Sequence, residues 1–271
     1  MIKYTITSKN TCKVMSNSTI KTNPRKEFLS MTNIVTDSDS TDINISQLTK
    51  ELLMQWLDKK DFLSGKDKST LFEIGCNCLS NVDTLYNLNK AVIKRQDTLT
   101  EEDGELILKA EEGRNTLIYG DKKIEFTELQ LREILAGMID ILEKILPLGT
   151  VVDLKKKYLQ KHISVDSIQN IRLVITHRFL YREEDTVYFP YAGVVYPLGM
   201  LVDNKVIHFT PSLIEKVVHT GYSDGQDEAY IYMMKQELIL EKGMHSYGFS
   251  SEEEQSVLQN RLEAERMANN D

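Results

Sequence analysis

Apolar and polar positions divide this 271-residue chain into three regimes. Residues 1 to 43 are polar, hold few large apolar side chains and show no period. A poorly ordered N-terminal segment is expected, with Thr36 to Asp42 as a low-complexity polar tract. Residues 44 to 146 turn helical. Leu48, Leu52, Leu53, Trp56 and Leu57 fall on one face of a helix. Val82, Leu85, Tyr86, Val92 and Ile93 suggest a second, and Thr100 with Asp103 caps a third over Leu106, Ile107 and Ala110, ending at Gly113. Two short β-like runs around Gly120-Asp121 predict a hairpin over Leu117 to Phe126. Thr127 and Gln130 form a capping box. They open the most regular helix, whose stripe runs Leu131, Ile134, Leu135, Met138, Ile139, Leu142, Ile145 and stops at Pro147.

The third regime alternates short apolar runs with Gly and Pro corners, the spacing of a small β-barrel over residues 147 to 241. Strands are predicted at Gly149 to Leu154, Asn170 to Thr176, Val187 to Tyr196 and Val206 to Phe209. A polar insert, Lys155 to Gln169, lies between the first two. Thr210-Pro211 predicts a short helix over Ser212 to Lys216, then a closing strand over Val217 to Thr220. A helix follows over Asp227 to Leu240, broken at Gly243. Residues 242 to 271 form a C-terminal helical tail, capped by Ser250 or Ser251, with a thin stripe of Val257, Leu258 and Leu262. The expected fold is therefore α+β: a helical N-terminal domain with a β-hairpin, then a small SH3-like β-barrel and C-terminal helices.

The net charge of -8 makes phosphate backbones and anionic membranes disfavoured partners. Three cysteines, Cys12, Cys76 and Cys78, make no disulfide framework and point to a reducing, cytoplasmic setting. No apolar run is long enough to span a bilayer, so no membrane insertion is expected.

Candidate chemistry is sparse. Cys76-Asn-Cys78 lacks the second ligand pair a zinc site needs, which leaves structural thiols. Ser64 to Thr70 has the Gly-Lys of a phosphate loop but neither its first Gly nor its Ser/Thr, and reads as a polar turn between helices. Glu183-Glu184-Asp185 reads as a solvated turn. His177 and His208 fall in strands and could meet across the barrel. They have no nucleophile or third ligand beside them. Tyr181 to Asp185 has the Tyr-x-x-x-Asp spacing of an export signal, but lies between strands rather than after a helical hairpin. The expectation is a non-enzyme with no catalytic residues, no metal and no cofactor.

Two surfaces remain as candidates. Lys155, Lys156 and Lys157, with Tyr158, Lys161, His162, Arg172 and Arg178, form a basic cluster with interleaved aromatics. It could track a single strand of nucleic acid, dock an acidic protein or be a solvated loop. Tyr188, Tyr191, Tyr196 and Tyr222 are the candidate protein-binding anchors. For Tyr191 and Tyr196 core packing is the stronger expectation.

Several blocks occur in a telling order: LPLGTVV (146 to 152), YAGVVYPLG (191 to 199) and FTPSLIEKVVHTGYSD (209 to 224). Over about residues 145 to 240 this pattern resembles a domain-of-unknown-function family of Gram-positive (Firmicutes) bacteria, often encoded in type VII secretion loci. The resemblance implies a cytoplasmic adaptor or chaperone for exported LXG-type or WXG-type proteins. Its expected partner is a protein: secreted cargo, a toxin or a secretion component. The alternatives are an immunity protein for a nearby toxin, or a nucleic-acid-binding small barrel.

Overall fold

The structure is a computed structural model that describes residues 45–101, 105–111, 113–155, 171–199 and 206–268. The predicted N-terminal segment, the Asp103 cap residue and most of the polar insert lie outside those residues. Two compact units are present. Among the described residues, one holds 45–144 and 231–245, and the other holds 145–230 and 246–268. Each is built from two separate stretches of chain.

The first unit is helical with a small sheet. Its helices are α1 (Ile45–Asp58), α2 (Gly65–Asn77), α3 (Asp83–Ile93) and α4 (Glu128–Leu142). Ser64 opens α2 with a capping box: its hydroxyl accepts from the Asp67 backbone N–H, and the Asp67 carboxylate accepts from the Ser64 N–H. The stretch read as an inter-helix turn is therefore a helix start, whose free N–H groups are already engaged by its own side chains. The capping box at Thr127 and Gln130 is present as expected. From Leu131 to Leu142 nearly every residue of α4 is buried, so it is the central helix of the unit rather than a one-sided one. It packs on α1 and α3 and on the sheet.

That sheet is a four-stranded antiparallel meander, β1 (Thr98–Glu101), β2 (Leu106–Glu111), β3 (Arg114–Tyr119) and β4 (Lys122–Phe126). The hairpin around Gly120-Asp121 is found, with Tyr119 opposite Lys122. The helix expected over Leu106 to Ala110 is instead β2. Leu106 and Leu108 point inward while Lys109 is exposed, a period of two. Gly113, at φ 79°, turns β2 back onto β3.

Gly137 shows how tightly α4 packs. A Cβ there would sit 2.0 Å from the Trp56 ring. The absence of a side chain is what lets the indole lie on the helix. Gly137→Ala should destabilise this unit by about 2 kcal/mol, the cost of overpacking a rigid aromatic. Urea unfolding followed by the fluorescence of Trp56, the chain's single tryptophan, measures it directly.

The second unit is organised on one antiparallel sheet. Its strands are β5 (Val151–Leu154), β6 (Ile171–Leu180), β7 (Val187–Val195), β8 (Ile207–Phe209), β9 (Ile214–His219) and β10 (His245–Ser246). The order is β10-β7-β6-β5-β9, with β8 also paired to β7. This corrects the expected barrel. Closure needs the two outer strands to pair, and β9 hydrogen-bonds only β5 among the described residues, so the sheet is open. The predicted helix over Ser212 to Lys216 shrinks to one 3-10 turn, Pro211–Leu213, and β9 begins at once. Ile214 to Val218 hold three β-branched residues in five, which favours the extended state once the proline turn is complete.

Two helices complete the chain. α5 (Gly225–Lys235) continues as a π-helical turn, Gln236–Glu241, and α6 (Glu252–Ala268) follows. Ser251 caps α6, accepting from the Glu254 N–H while the Glu254 carboxylate accepts from the Ser251 N–H. Val257, expected on the inner stripe of α6, faces solvent. Among the described residues no helix is long and apolar enough to cross a membrane.

Candidate functional site

The basic cluster disperses on folding. Arg172 on β6 lies opposite Asp153 on β5 and grips it with both fork nitrogens, at 2.8 and 3.0 Å. That grip holds the Asp153 carboxyl below the usual carboxylate range, with Lys216 adding to the effect. Arg178 is buried. It donates to Asp227 at 2.5 and 3.3 Å and lies over the Tyr230 ring. Lys155 donates through Nζ to the Ser212 carbonyl at 2.7 Å. The three basic candidates among the described residues thus spend donors inside the unit. Lys156 and Lys157 lie outside the described residues, as do Tyr158, Lys161 and His162.

The tyrosines separate into two pairs. Tyr188 and Tyr191 are core residues and so are not surface anchors. The Tyr191 hydroxyl accepts the Leu146 backbone N–H at 2.9 Å, and its ring packs against Phe209. The burial of Tyr188 was not foreseen, since alternation along β7 fails: both faces of the strand are covered. Tyr196, for which core packing was expected, is instead 53% exposed, at the end of β7, and Tyr222 is 82% exposed.

Tyr222 does not stand alone. A Cβ at Gly221 would lie 2.0 Å from the Leu148 carbonyl oxygen, and the Gly221 N–H donates to the Thr150 hydroxyl at 3.0 Å. This close backbone approach brings Leu148 and Tyr222 together at one end of the β5–β9 edge. Val217 and Val218 follow along β9, and all four side chains are exposed. Every residue from Glu215 to His219 faces solvent, which is unusual for a valine-bearing strand.

The outer edge of β9 is poorly shaped for taking another strand. Its pairing with β5 slips at two places, leaving Val218 and Glu215 as extra residues. Bulges and edge charges such as Glu215 and Lys216 discourage strand addition. The site therefore offers apolar side chains rather than a backbone ladder. Sequence reasoning found Tyr222 but missed Leu148, Val217 and Val218. The signal available was the Val217-Val218 pair directly before the Gly221 corner.

The remaining candidates are structural. Cys78 is buried and Cys76 half-buried, with burial raising the Cys76 thiol. Glu183-Glu184-Asp185 lies in the turn between β6 and β7; Glu183 and Glu184 are exposed as expected, whereas the Asp185 side chain is largely covered and paired with Arg261. His177 and His208 both flank Ala192, one from each neighbouring strand.

No curated protein and no solved structure matches the chain. Residues 145–230, which carry five of the sheet's six strands and include the whole β9 rim, match a family model described as a domain of unknown function, DUF4176.

Proposed function

We propose that this chain is a non-enzymatic, cytoplasmic accessory protein that binds another protein, as an adaptor or chaperone for type VII secretion of LXG-type or WXG-type proteins. The carrying observation is the exposed apolar rim of Leu148, Val217, Val218 and Tyr222 on an edge that resists strand pairing. Such a rim suits an apolar face of a folded or helical partner. The resemblance of the same segment to a family expected in type VII loci is what points the proposal to that partner class. The internal commitment of Arg172, Arg178 and Lys155 favours a protein over a phosphate backbone.

The experiment is affinity purification of the tagged full chain from its own cells, identifying bound protein and nucleic acid together. The expected result is stoichiometric recovery of an LXG-type or WXG-type protein. The doubly substituted chain Val218→Lys, Tyr222→Ala should lose at least about tenfold of it, since anchors in such patches carry most of the binding energy. Its thermal stability should stay within about 0.5 kcal/mol, as expected for exposed positions. Recovery of a toxin that the chain inhibits would move the reading to immunity. Nucleic acid released by salt, with no protein, would overturn both.

A further inference from the structure

The acidic C-terminal helix does not hang free, and how it is held is informative. Among its described side chains Leu258 alone is buried, at 7% exposure, while Val257 beside it is 63% exposed. Thr186 donates its hydroxyl to the Glu254 carboxylate at 2.8 Å, and Arg261 makes a close ion pair with Asp185. Glu254, Leu258 and Arg261 are spaced i, i+4, i+7, which puts them on one face of α6. Asp185 and Thr186 are neighbours in the turn between β6 and β7.

Two features separate the seat from its occupant. The turn is self-supporting: the Asp185 carboxylate accepts from the Arg182 backbone N–H at 3.1 Å, and the Asp185 N–H donates to the Arg182 carbonyl at 3.0 Å. The helix, in contrast, fits incompletely, since Arg261 Nε is buried without a hydrogen-bond partner. Leu258 is the one buried apolar anchor among the described side chains, and ordering a helix opposes most of what one leucine contributes.

We propose that the β6–β7 turn is a helix-binding seat that α6 occupies in cis. Its exchangeable ligand is a partner helix carrying Glu, Leu and Arg at i, i+4 and i+7. The acidic Asp185 selects the Arg, the Thr186 hydroxyl selects the carboxylate, and the leucine fills the space between. This seat is separate from the β9 rim and stands whether or not the rim binds cargo.

The test vacates the seat in the full chain with Leu258→Asp and Arg261→Ala, then adds a synthetic peptide of residues 250–268 carrying the natural sequence. Amide exchange across Glu252 to Arg261 should accelerate at least about tenfold in the variant, while β6 and β7 keep their protection. The peptide should bind the variant saturably, bind the natural chain at least about tenfold more weakly, and lose about tenfold when the peptide itself carries Arg261→Ala. A second peptide carrying Leu258→Asp should not bind. Failure of the natural peptide to bind the vacated chain, binding indifferent to both peptide changes, or loss of protection in β6 and β7 would each overturn the proposal.

Discussion

Lys235→Ala should cost the first unit about 3 kcal/mol at pH 7, while Lys235→Met costs markedly less. Lys235 is buried, and its ammonium donates to the Ile141 carbonyl at 2.7 Å and the Glu143 carbonyl at 2.6 Å. These are among the last carbonyls of α4, which have no partner within the helix. Burial pulls the Lys235 pKa down to about 8, against the raising pull of Glu143 and Asp140. Three effects compete on truncation. The lost stem leaves a cavity costing about 3 kcal/mol, and the two abandoned carbonyls cost about 1–3 kcal/mol each. Removing a desolvated charge returns about 3 kcal/mol. The first two outweigh the third for alanine. Methionine refills the cavity, so the terms nearly cancel.

The same group predicts a pH dependence of definite sign. Between pH 8 and 10.5 the unfolded chain holds a proton on Lys235 that the folded unit has released. Stability from this group therefore rises with pH across that window, by about 2–3 kcal/mol. Trp56 lies in the core of the same unit, so urea unfolding read by its fluorescence reports the effect. A rise that persists unchanged in Lys235→Met would refute the assignment to this lysine.

What the sequence made legible follows from the range of the forces involved. The Thr127–Gln130 capping box and the Gly120-Asp121 hairpin are set by neighbours a few residues apart, and both are where the pattern put them. β2 was misread because Leu106, Ile107 and Ala110 fit a helical stripe as well as a strand. Only the pairing of Leu106 to Glu111 with β3 decides between the two. Closure of the sheet is likewise non-local, and no local signal distinguishes an open six-stranded sheet from a barrel. At the candidate site, Tyr188 is buried although it alternates with the buried Tyr191, because β7 is covered on both faces, and Tyr196 is exposed because it lies just past the end of β7 at Val195. The fate of the basic cluster was hidden for the same reason. Asp153 and Asp227, which engage Arg172 and Arg178, are 19 and 49 residues away in sequence.

The second unit should lose about 3 kcal/mol of stability between pH 7 and pH 4 through one residue, His208. Its ring is largely buried, 5.0 Å from the Phe189 ring, which in turn stacks on Tyr247 at 4.5 Å. Burial lowers its pKa to about 4, and His177, across Ala192 on β6, pushes in the same direction. In the unfolded chain the imidazole titrates near 6.5. Between these values the unfolded state binds a proton that the folded state refuses, so stability falls as pH falls through the window. His208→Gln keeps a polar group but cannot titrate, and its stability should be flatter by about the same 3 kcal/mol over that range. Protection of the Tyr191 and Ala192 amides in urea, compared between the two chains at each pH, cancels intrinsic exchange rates. Equal losses in both chains would place the acid sensitivity elsewhere, in carboxylates such as Asp153 that Arg172 holds ionised and that must be protonated before their pairing is lost.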